Sequence, residues 1–116
     1  IDLGMYQVGV ALLPEPLLQY QLDGTEPERI GNEHPLHVPS DSYPAAGDDR
    51  WVTLTVESDA QWAALSAVLS DDGVAVPAGL DSAAARRARR EEINALVGRW
   101  TRGHDATTLM HRLQAR

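Results

Sequence analysis

The stretch that decides the fold reads WVTLTV over Trp51–Val56 and is followed within two residues by SDAQW over Ser58–Trp62. The first part is rich in β-branched residues and alternates apolar with polar side chains, which is typical of a strand with one buried face. In the second part, Ser58 followed three residues later by Gln61 matches a capping box, so we expect a helix to begin at once. The sequence therefore predicts a strand that leads directly into a helix.

Three helices are predicted after this strand. The first has its inner face at Trp62, Leu65, Val68 and Leu69 and ends at Asp71-Asp72-Gly73, and a loop over 73–81 follows. Asp81 or Ser82 then caps one long helix, which ends at Arg102-Gly103, and Asp105 caps the last helix. The inner faces of these two helices are predicted at Ile93, Leu96, Val97 and Trp100, and at Leu109, Met110 and Leu113.

The N-terminal part is predicted to contain less regular structure. Residues 1–23 form a helical lead-in interrupted by prolines, and 24–42 is a loop rich in Pro, Gly, Asn and Ser. A strand that ends near Pro44 is expected to pair with Trp51–Val56 as a hairpin. We therefore predict an α+β fold over 1–116, a mostly helical small domain with a short antiparallel β element, in which 43–116 holds the hairpin and the helices.

Composition excludes several kinds of chemistry. The 116 residues contain no cysteine, which excludes disulfides, thiolate metal sites and a cysteine nucleophile, and every one of the ten basic residues is arginine, which excludes a Schiff-base lysine. No apolar run is long enough to span a bilayer, and no signal peptide is visible, so we expect a cytoplasmic protein with no membrane partner. The chain begins at Ile1 rather than Met, and we expect it to be a fragment.

Charge is distributed unevenly along the chain. Residues 1–81 carry fourteen acidic residues and two arginines, a net charge of −12, whereas 82–116 carry eight arginines and three acidic residues, a net charge of +5. The acidic part would repel duplex nucleic acid. The run Arg86–Arg90 is open to two interpretations. It is either a nucleic-acid patch or localisation signal, or a solvated helix face whose arginines meet Glu91, Glu92 or the acidic part of the same protein. We favour the second because no aromatic residue that could stack on bases is interleaved with the arginines.

Isolated candidates for catalysis or metal binding are weak. His34 and His37 stand close to Glu33 and Asp41, but a loop does not supply the fixed i, i+4 geometry of a helical metal pair. No segment resembles a nucleophile elbow. The residues alone therefore predict no metal and no catalytic group in this chain.

Several motifs taken in order are more specific. Gly31–Pro35 reads GNEHP, Tyr43-Pro44 follows, and Asp48–Val56 and Asp59–Trp62 read DDRWVTLTV and DAQW. In this order and spacing the sequence resembles the family III CoA-transferases, the formyl-CoA transferase and carnitine CoA-transferase group. The similarity extends over nearly all 116 residues. It implies that this chain is the small domain of a larger α/β CoA-transferase chain whose large domain is missing here.

The resemblance implies an activity for the whole protein. Family members move CoA between carboxylic acids through an aspartate that becomes a mixed anhydride and then a CoA thioester. That aspartate belongs to the large domain, so the chain alone is expected to be inactive. The implied substrates are an acyl-CoA thioester and a free carboxylic acid, with no permanently bound cofactor, and the implied assembly is a homodimer.

The resemblance also assigns site residues. Gly31, Asn32, Glu33 and His34 match the loop that lies over the active site and shields the thioester from water. Met5 falls where the family places a residue near the CoA thiol. Glu33 replaces the usual Arg, which could invert the loop's preference for an anionic acyl group.

Two alternatives stay open at this point. A related α-methylacyl-CoA racemase would carry a supporting Glu where this chain has Ser58, a residue that is well explained as a helix N-cap. A non-catalytic binding or structural module is the other alternative. The large-domain sequence would distinguish them, because a transferase needs only the aspartate and a racemase needs a histidine as well.

Overall fold

Two short helices form the first part of the chain. The computed structural model describes residues 4–116 and divides the chain into two units, 1–30 and 31–116. The first unit contains helix α1, Met5–Ala11, and helix α2, Pro14–Asp23, which ends at Gly24 in the left-handed conformation. Neither helix contains a buried residue. The start of the predicted lead-in, residues 1–3, lies outside the described residues.

A hairpin opens the second unit. Strand β1, Ser40–Pro44, pairs antiparallel with strand β2, Trp51–Thr55, so that Ser40 lies opposite Thr55. The predicted hairpin is therefore confirmed. Its first strand begins inside the stretch predicted as a loop over 24–42. The side chain of Ser40 bonds to that of Thr55, and the side chain of Ser42 to that of Thr53, so residues typical of loops here form a polar ladder across the strands.

Four helices complete the second unit: α3, Asp59–Asp71; α4, Ala83–Ala88; α5, Arg90–Thr101; and α6, Ala106–Gln114. The predicted capping box is present, since the side chain of Ser58 accepts from the Gln61 amide and Gln61 bonds back to the Ser58 amide. Asp105 caps α6 in the same way, through the Thr108 amide. Within residues 4–116, every helix is too short or too polar to cross a membrane.

The prediction of a single long helix after Ser82 is wrong. The chain leaves helical geometry at Arg89, whose φ and ψ are −120° and 31°, and α4 and α5 are separate helices. The Arg89 amide bonds to the Arg86 carbonyl three residues back, and its guanidinium bonds to the Ala78 carbonyl and to Glu92. The break is therefore compensated locally by hydrogen bonds that helical propensity alone does not reveal.

The hydrophobic core lies between the hairpin and the helices of the second unit. Trp62 and Trp100 are buried in it, as predicted from helical spacing. Met110 was predicted to face inward with Leu109, but it remains 38% exposed whereas Leu109 is 1% exposed. The short α6 therefore presents a narrower apolar face than we predicted. The other buried members of the core are Val38, Tyr43, Val52, Val56, Leu65, Val68, Leu69, Leu80, Ile93 and Val97.

Candidate functional site

The motif loop, Gly31–Pro35, lies against the first turn of α5. Arg90, the first residue of that helix, directs its guanidinium onto the loop. Its Nη1 donates to the carbonyl oxygen of His34 at 2.9 Å and lies 3.3 Å from Oε2 of Glu33. Its Nη2 lies 3.4 Å from the carbonyl oxygen of Pro35. One side chain of α5 therefore contacts three consecutive residues of the loop.

Local bonds shape the loop itself. Gly31 has a φ of 62°, in the left-handed region that favours glycine, which gives a physical reason for a glycine at the start of the motif. Nδ1 of His34 accepts hydrogen bonds from the amides of Leu36 at 3.1 Å and His37 at 3.3 Å. The rings of His34 and His37 stack with centroids 4.1 Å apart. His34 therefore organises the turn that follows the motif.

The chain that follows the motif loop runs beside α5. The Tyr43 hydroxyl donates to Oδ1 of Asn94 at 2.7 Å, and the hydroxyl of Thr101 donates to the carbonyl oxygen of Pro44 at 2.8 Å. Burial, reinforced by the negative charges of Asp41 and Glu33, raises the pKa of Tyr43. The tyrosine therefore stays protonated and acts as a hydrogen-bond donor at physiological pH.

A buried arginine holds the other end of this segment. Arg86, at 1% exposure, donates from Nε to the carbonyl oxygen of Val38 at 3.1 Å and from Nη1 to that of Leu80 at 3.0 Å. Its Nη2 lies 2.7 Å from Oδ1 of Asp59. The arginine run thus contacts acidic and carbonyl groups of the same chain, in agreement with the interpretation we favoured, except that Arg86 is buried rather than solvated.

The structure places the predicted site residues in two different units. Met5 belongs to the first unit and is 90% exposed. In the second unit, Gly31 and Asn32 are exposed, and Glu33 and His34 are half-buried beside Arg90. The exposed backbone and the Asn32 amide are available to a ligand, whereas the Glu33 carboxylate already has a cationic partner.

The chemistry available in this loop is binding and shielding. Among residues 4–116, no group of three or more His, Asp or Glu side chains is arranged to hold a metal ion. The motif loop contributes carbonyl groups, one amide side chain and one imidazole whose Nδ1 is occupied by two amides. Such a loop can cover and orient a substrate while another part of the protein reacts with it.

A separate groove of about 510 Å³ runs along β2 between α3 and α6. Residues of all three elements line it, among them Thr53, Leu65 and Met110, and none of the predicted site residues does. β2 pairs with β1 along one edge, and no residue of β1 lines the groove. The groove is therefore distinct from the motif loop.

The sequence matches the family model described as CoA-transferase family III over residues 1–116, its whole length. The chain belongs to CoA-transferase family III. It is 35% identical to a succinyl-CoA:mesaconate CoA-transferase of Haloarcula marismortui, over 116 residues that cover all of this chain and 28% of that protein. A succinyl-CoA–D-citramalate CoA-transferase of Chloroflexus aurantiacus is 29% identical over 109 residues, 94% of this chain and 27% of that protein. The chain thus spans less than a third of the length of these relatives.

A solved structure agrees with the fold. A crystal structure of a CaiB/BaiF family protein from Brucella suis superimposes with a TM-score of 0.83 at 24% identity, over 99% of this chain and 30% of that one. The family membership, predicted from the motifs, and the α+β fold, predicted from the strand and helix patterns, are therefore confirmed.

Sequence reasoning missed Arg90 and Asn94 as neighbours of this segment. Both lie more than fifty residues from the groups they contact, and neither belongs to a motif. The sequence predicts Arg90 inside one long helix, so its place at the first residue of α5 is visible only in the structure.

Proposed function

We propose that this chain is the small-domain part of a CoA-transferase that moves CoA between carboxylic acids. The observation that carries the proposal is the match to CoA-transferase family III over all 116 residues. The relatives reported above are named as transferases that use succinyl-CoA, with mesaconate or D-citramalate as the second acid in the name. A third relative, from Agrobacterium fabrum, is named a succinate–glutarate CoA-transferase. We therefore propose dicarboxylic acids and their CoA thioesters as the substrate class.

The proposed reaction proceeds through a carboxylate nucleophile outside residues 1–116. An aspartate attacks the acyl carbonyl of the donor thioester and releases CoA as its thiolate, which leaves a mixed anhydride. The thiolate then attacks the aspartyl carbonyl, which releases the first carboxylate and forms an aspartyl-CoA thioester. The acceptor carboxylate attacks this thioester, which releases the CoA thiolate and forms a second mixed anhydride. The thiolate then attacks the acyl carbonyl of that anhydride, which delivers the new acyl-CoA and restores the aspartate.

In this proposal the motif loop covers the reacting thioester. Gly31, Asn32, Glu33 and His34 lie close to the substrate, and Met5 lies near the CoA thiol. The exposure of Gly31 and Asn32 supports this role, because a loop that shields a ligand must present surface to it. Exclusion of water matters because an anhydride or thioester that meets water is hydrolysed rather than transferred.

Exposed apolar side chains in the first unit support the proposal that further protein covers it. α1 and α2 contain no buried residue, although Tyr6, Tyr20 and Leu22 are among their large apolar side chains. Apolar surface of this kind is normally covered by another domain or subunit. We propose that the large domain and a second copy in a homodimer cover it, and that the assembly works in the cytoplasm.

No observation favours the racemase alternative. The side chain and the amide of Ser58 are both engaged in the capping box, which gives this residue a structural role at the start of α3. The relatives reported above are named transferases.

An activity assay on the full-length protein tests the proposal. Purified protein is incubated with succinyl-CoA and, one at a time, mesaconate, citramalate, glutarate and acetate, and the acyl-CoA products are separated by chromatography. We expect new dicarboxylyl-CoA in proportion to the succinyl-CoA consumed. Inversion at the α-carbon of a 2-methylacyl-CoA without any exchange of CoA would support a racemase and contradict the proposal.

A further inference from the structure

The position of Arg90 is electrostatically costly on its own helix. A cation at the first residue of a helix meets the positive end of the helix dipole, and the acidic residues Glu91 and Glu92 in the same turn have the favourable sign. The Arg90 side chain nevertheless points away from solvent and is only 20% exposed. Its place is therefore explained by what it contacts rather than by helix stability.

The contacts made by Arg90 are suited to fixing a backbone. Its planar guanidinium reaches the carbonyl oxygens of His34 and Pro35 from two different nitrogens, and Nη1 also approaches the Glu33 carboxylate. A planar fork that binds two consecutive carbonyls constrains both the position and the orientation of the peptide groups. The Glu33 carboxylate adds electrostatic attraction. The side chains of Arg90 and Glu33 are 20% and 37% exposed, so water screens the two charges only in part.

The motif loop depends on this single side chain for its long-range hydrogen bonds. Within the described chain, the bonds of residues 31–35 to groups outside 31–37 all come from Arg90. The bonds of His34 to the Leu36 and His37 amides are local, and the turn that they shape is also contacted by Arg87, whose Nη1 lies 3.5 Å from the carbonyl oxygen of Leu36. Further along α5, Asn94 and Thr101 bind the strand that follows, so the helix supports the segment from Glu33 to Pro44.

We propose that Arg90 is a positioning residue that sets where the motif loop lies, and thereby how closely the loop covers the acyl-CoA thioester. The part of this inference that concerns the thioester rests on the proposed function. Arg90 itself does not contact the reacting atoms in this account. It acts through the loop backbone, and its effect on turnover follows from the loop's position.

Three substitutions in the full-length protein separate positioning from general stability. Arg90→Gln removes the charge and the fork, Arg90→Lys keeps the charge but offers a single ammonium, and Arg99→Gln removes a charge from an exposed position of the same helix. For each variant we would measure hydrogen exchange of the Leu36 and His37 amides, which donate to Nδ1 of His34, together with the urea unfolding midpoint and kcat and KM with succinyl-CoA. Global unfolding serves as the control, because a merely structural role would lower the midpoint without singling out the loop.

We expect exchange of the Leu36 and His37 amides to become about tenfold faster in Arg90→Gln, with partial recovery in Arg90→Lys and no change in Arg99→Gln. We expect kcat to fall most in Arg90→Gln, less in Arg90→Lys and not in Arg99→Gln, with little change in the KM for CoA thioesters. Unchanged exchange in Arg90→Gln, or faster exchange with unaltered kcat, would overturn the proposal. If the unsubstituted protein transfers no CoA, the proposed function fails, and the exchange rates alone then decide whether Arg90 holds the loop.

Discussion

Arg86 and Asp59 form an ion pair of 2.7 Å in which the arginine is buried and the carboxylate is mostly exposed, at 1% and 63% exposure of the two side chains. The guanidinium also binds the carbonyl oxygens of Val38, Leu80 and Asp81 and lies over the ring of Trp62, 5.6 Å from its centroid. The arginine therefore joins Val38, which lies between the motif loop and β1, to the loop before α4 and to α3.

Replacement of Arg86 should be more damaging than replacement of Asp59. Arg86→Gln leaves buried carbonyl oxygens without their donors and is expected to lower the free energy of unfolding by about 3 kcal/mol. Asp59→Asn removes the counter-charge of the buried guanidinium but keeps an oxygen that can accept from Nη2, so it should cost less, about 1–2 kcal/mol. Arg87→Gln serves as the control, because this neighbour is exposed. Urea unfolding measures all three, and equal losses in Arg86→Gln and Arg87→Gln would contradict this assignment.

The three tryptophans should differ sharply in their effect on stability. Trp62 and Trp100 are 3% and 6% exposed, so Trp→Ala at either should cost about 3–5 kcal/mol. Trp51 is 58% exposed on the outer face of β2, and the same substitution there should cost about 1 kcal/mol or less. A loss at Trp51 as large as that at Trp62 would show that the facing of the hairpin is wrong.

Asp72 should make stability depend on pH in the acid range. Hydrogen bonds from the Arg112 guanidinium and the Trp100 indole lower the pKa of Asp72 to about 2, from a usual value of 3.8. Because the pKa is lower in the folded state, the stabilisation is fully present above about pH 4 and is lost as the pH falls towards about 2.

The test compares the wild type with Asp72→Asn by urea unfolding at several pH values. We expect Asp72→Asn to be less stable than the wild type at pH 6. The difference between their free energies of unfolding should shrink progressively below about pH 4. Asp71→Asn is the control, because Asp71 forms an exposed pair with Arg116. A gap of constant size from pH 6 to pH 2.5 would show that the charge of Asp72 contributes nothing.

Glu33 offers a test of the proposed substrate preference in the full-length protein. In Glu33→Arg, two guanidinium groups would face each other where Glu33 and Arg90 now lie 3.3 Å apart. We expect the ratio of kcat/KM for charged and neutral acyl-CoA donors to change, while the urea midpoint moves little because the loop is at the surface. Glu33→Gln, which removes the charge without reversing it, should change the ratio less. Identical ratios in all three proteins would remove Glu33 from substrate selection.

Local signals in the sequence were sufficient for much of the fold. The Ser58 and Asp105 caps, the β2 pattern and the two buried tryptophans each depend on residues a few positions apart, so periodicity and capping chemistry reveal them. The family could be predicted from the motifs taken in order, because several weak signals at compatible spacing are specific when they occur together.

The contacts that hold the candidate site were beyond these signals. Arg86 belongs to a run of arginines that resembles a solvated helix face, yet its partner Val38 lies 48 residues away. Arg90 likewise contacts a loop 55 to 57 residues earlier. These two arginines have a structural role only because α4 and α5 pack against residues 33–44. That packing leaves no periodic pattern in the sequence. The break at Arg89, which separates α4 from α5, is likewise accompanied by hydrogen bonds that leave no periodic pattern in the sequence.

The central claim is that this chain serves a transferase whose reacting aspartate lies elsewhere in the protein. The most direct measurement is mass spectrometry of the full-length protein after brief incubation with succinyl-CoA alone, followed by peptide mapping. The account predicts a CoA adduct in thioester linkage to one aspartate outside residues 1–116, removed by hydroxylamine and absent when free CoA replaces succinyl-CoA. No adduct, or an adduct on a residue within 1–116, would contradict it.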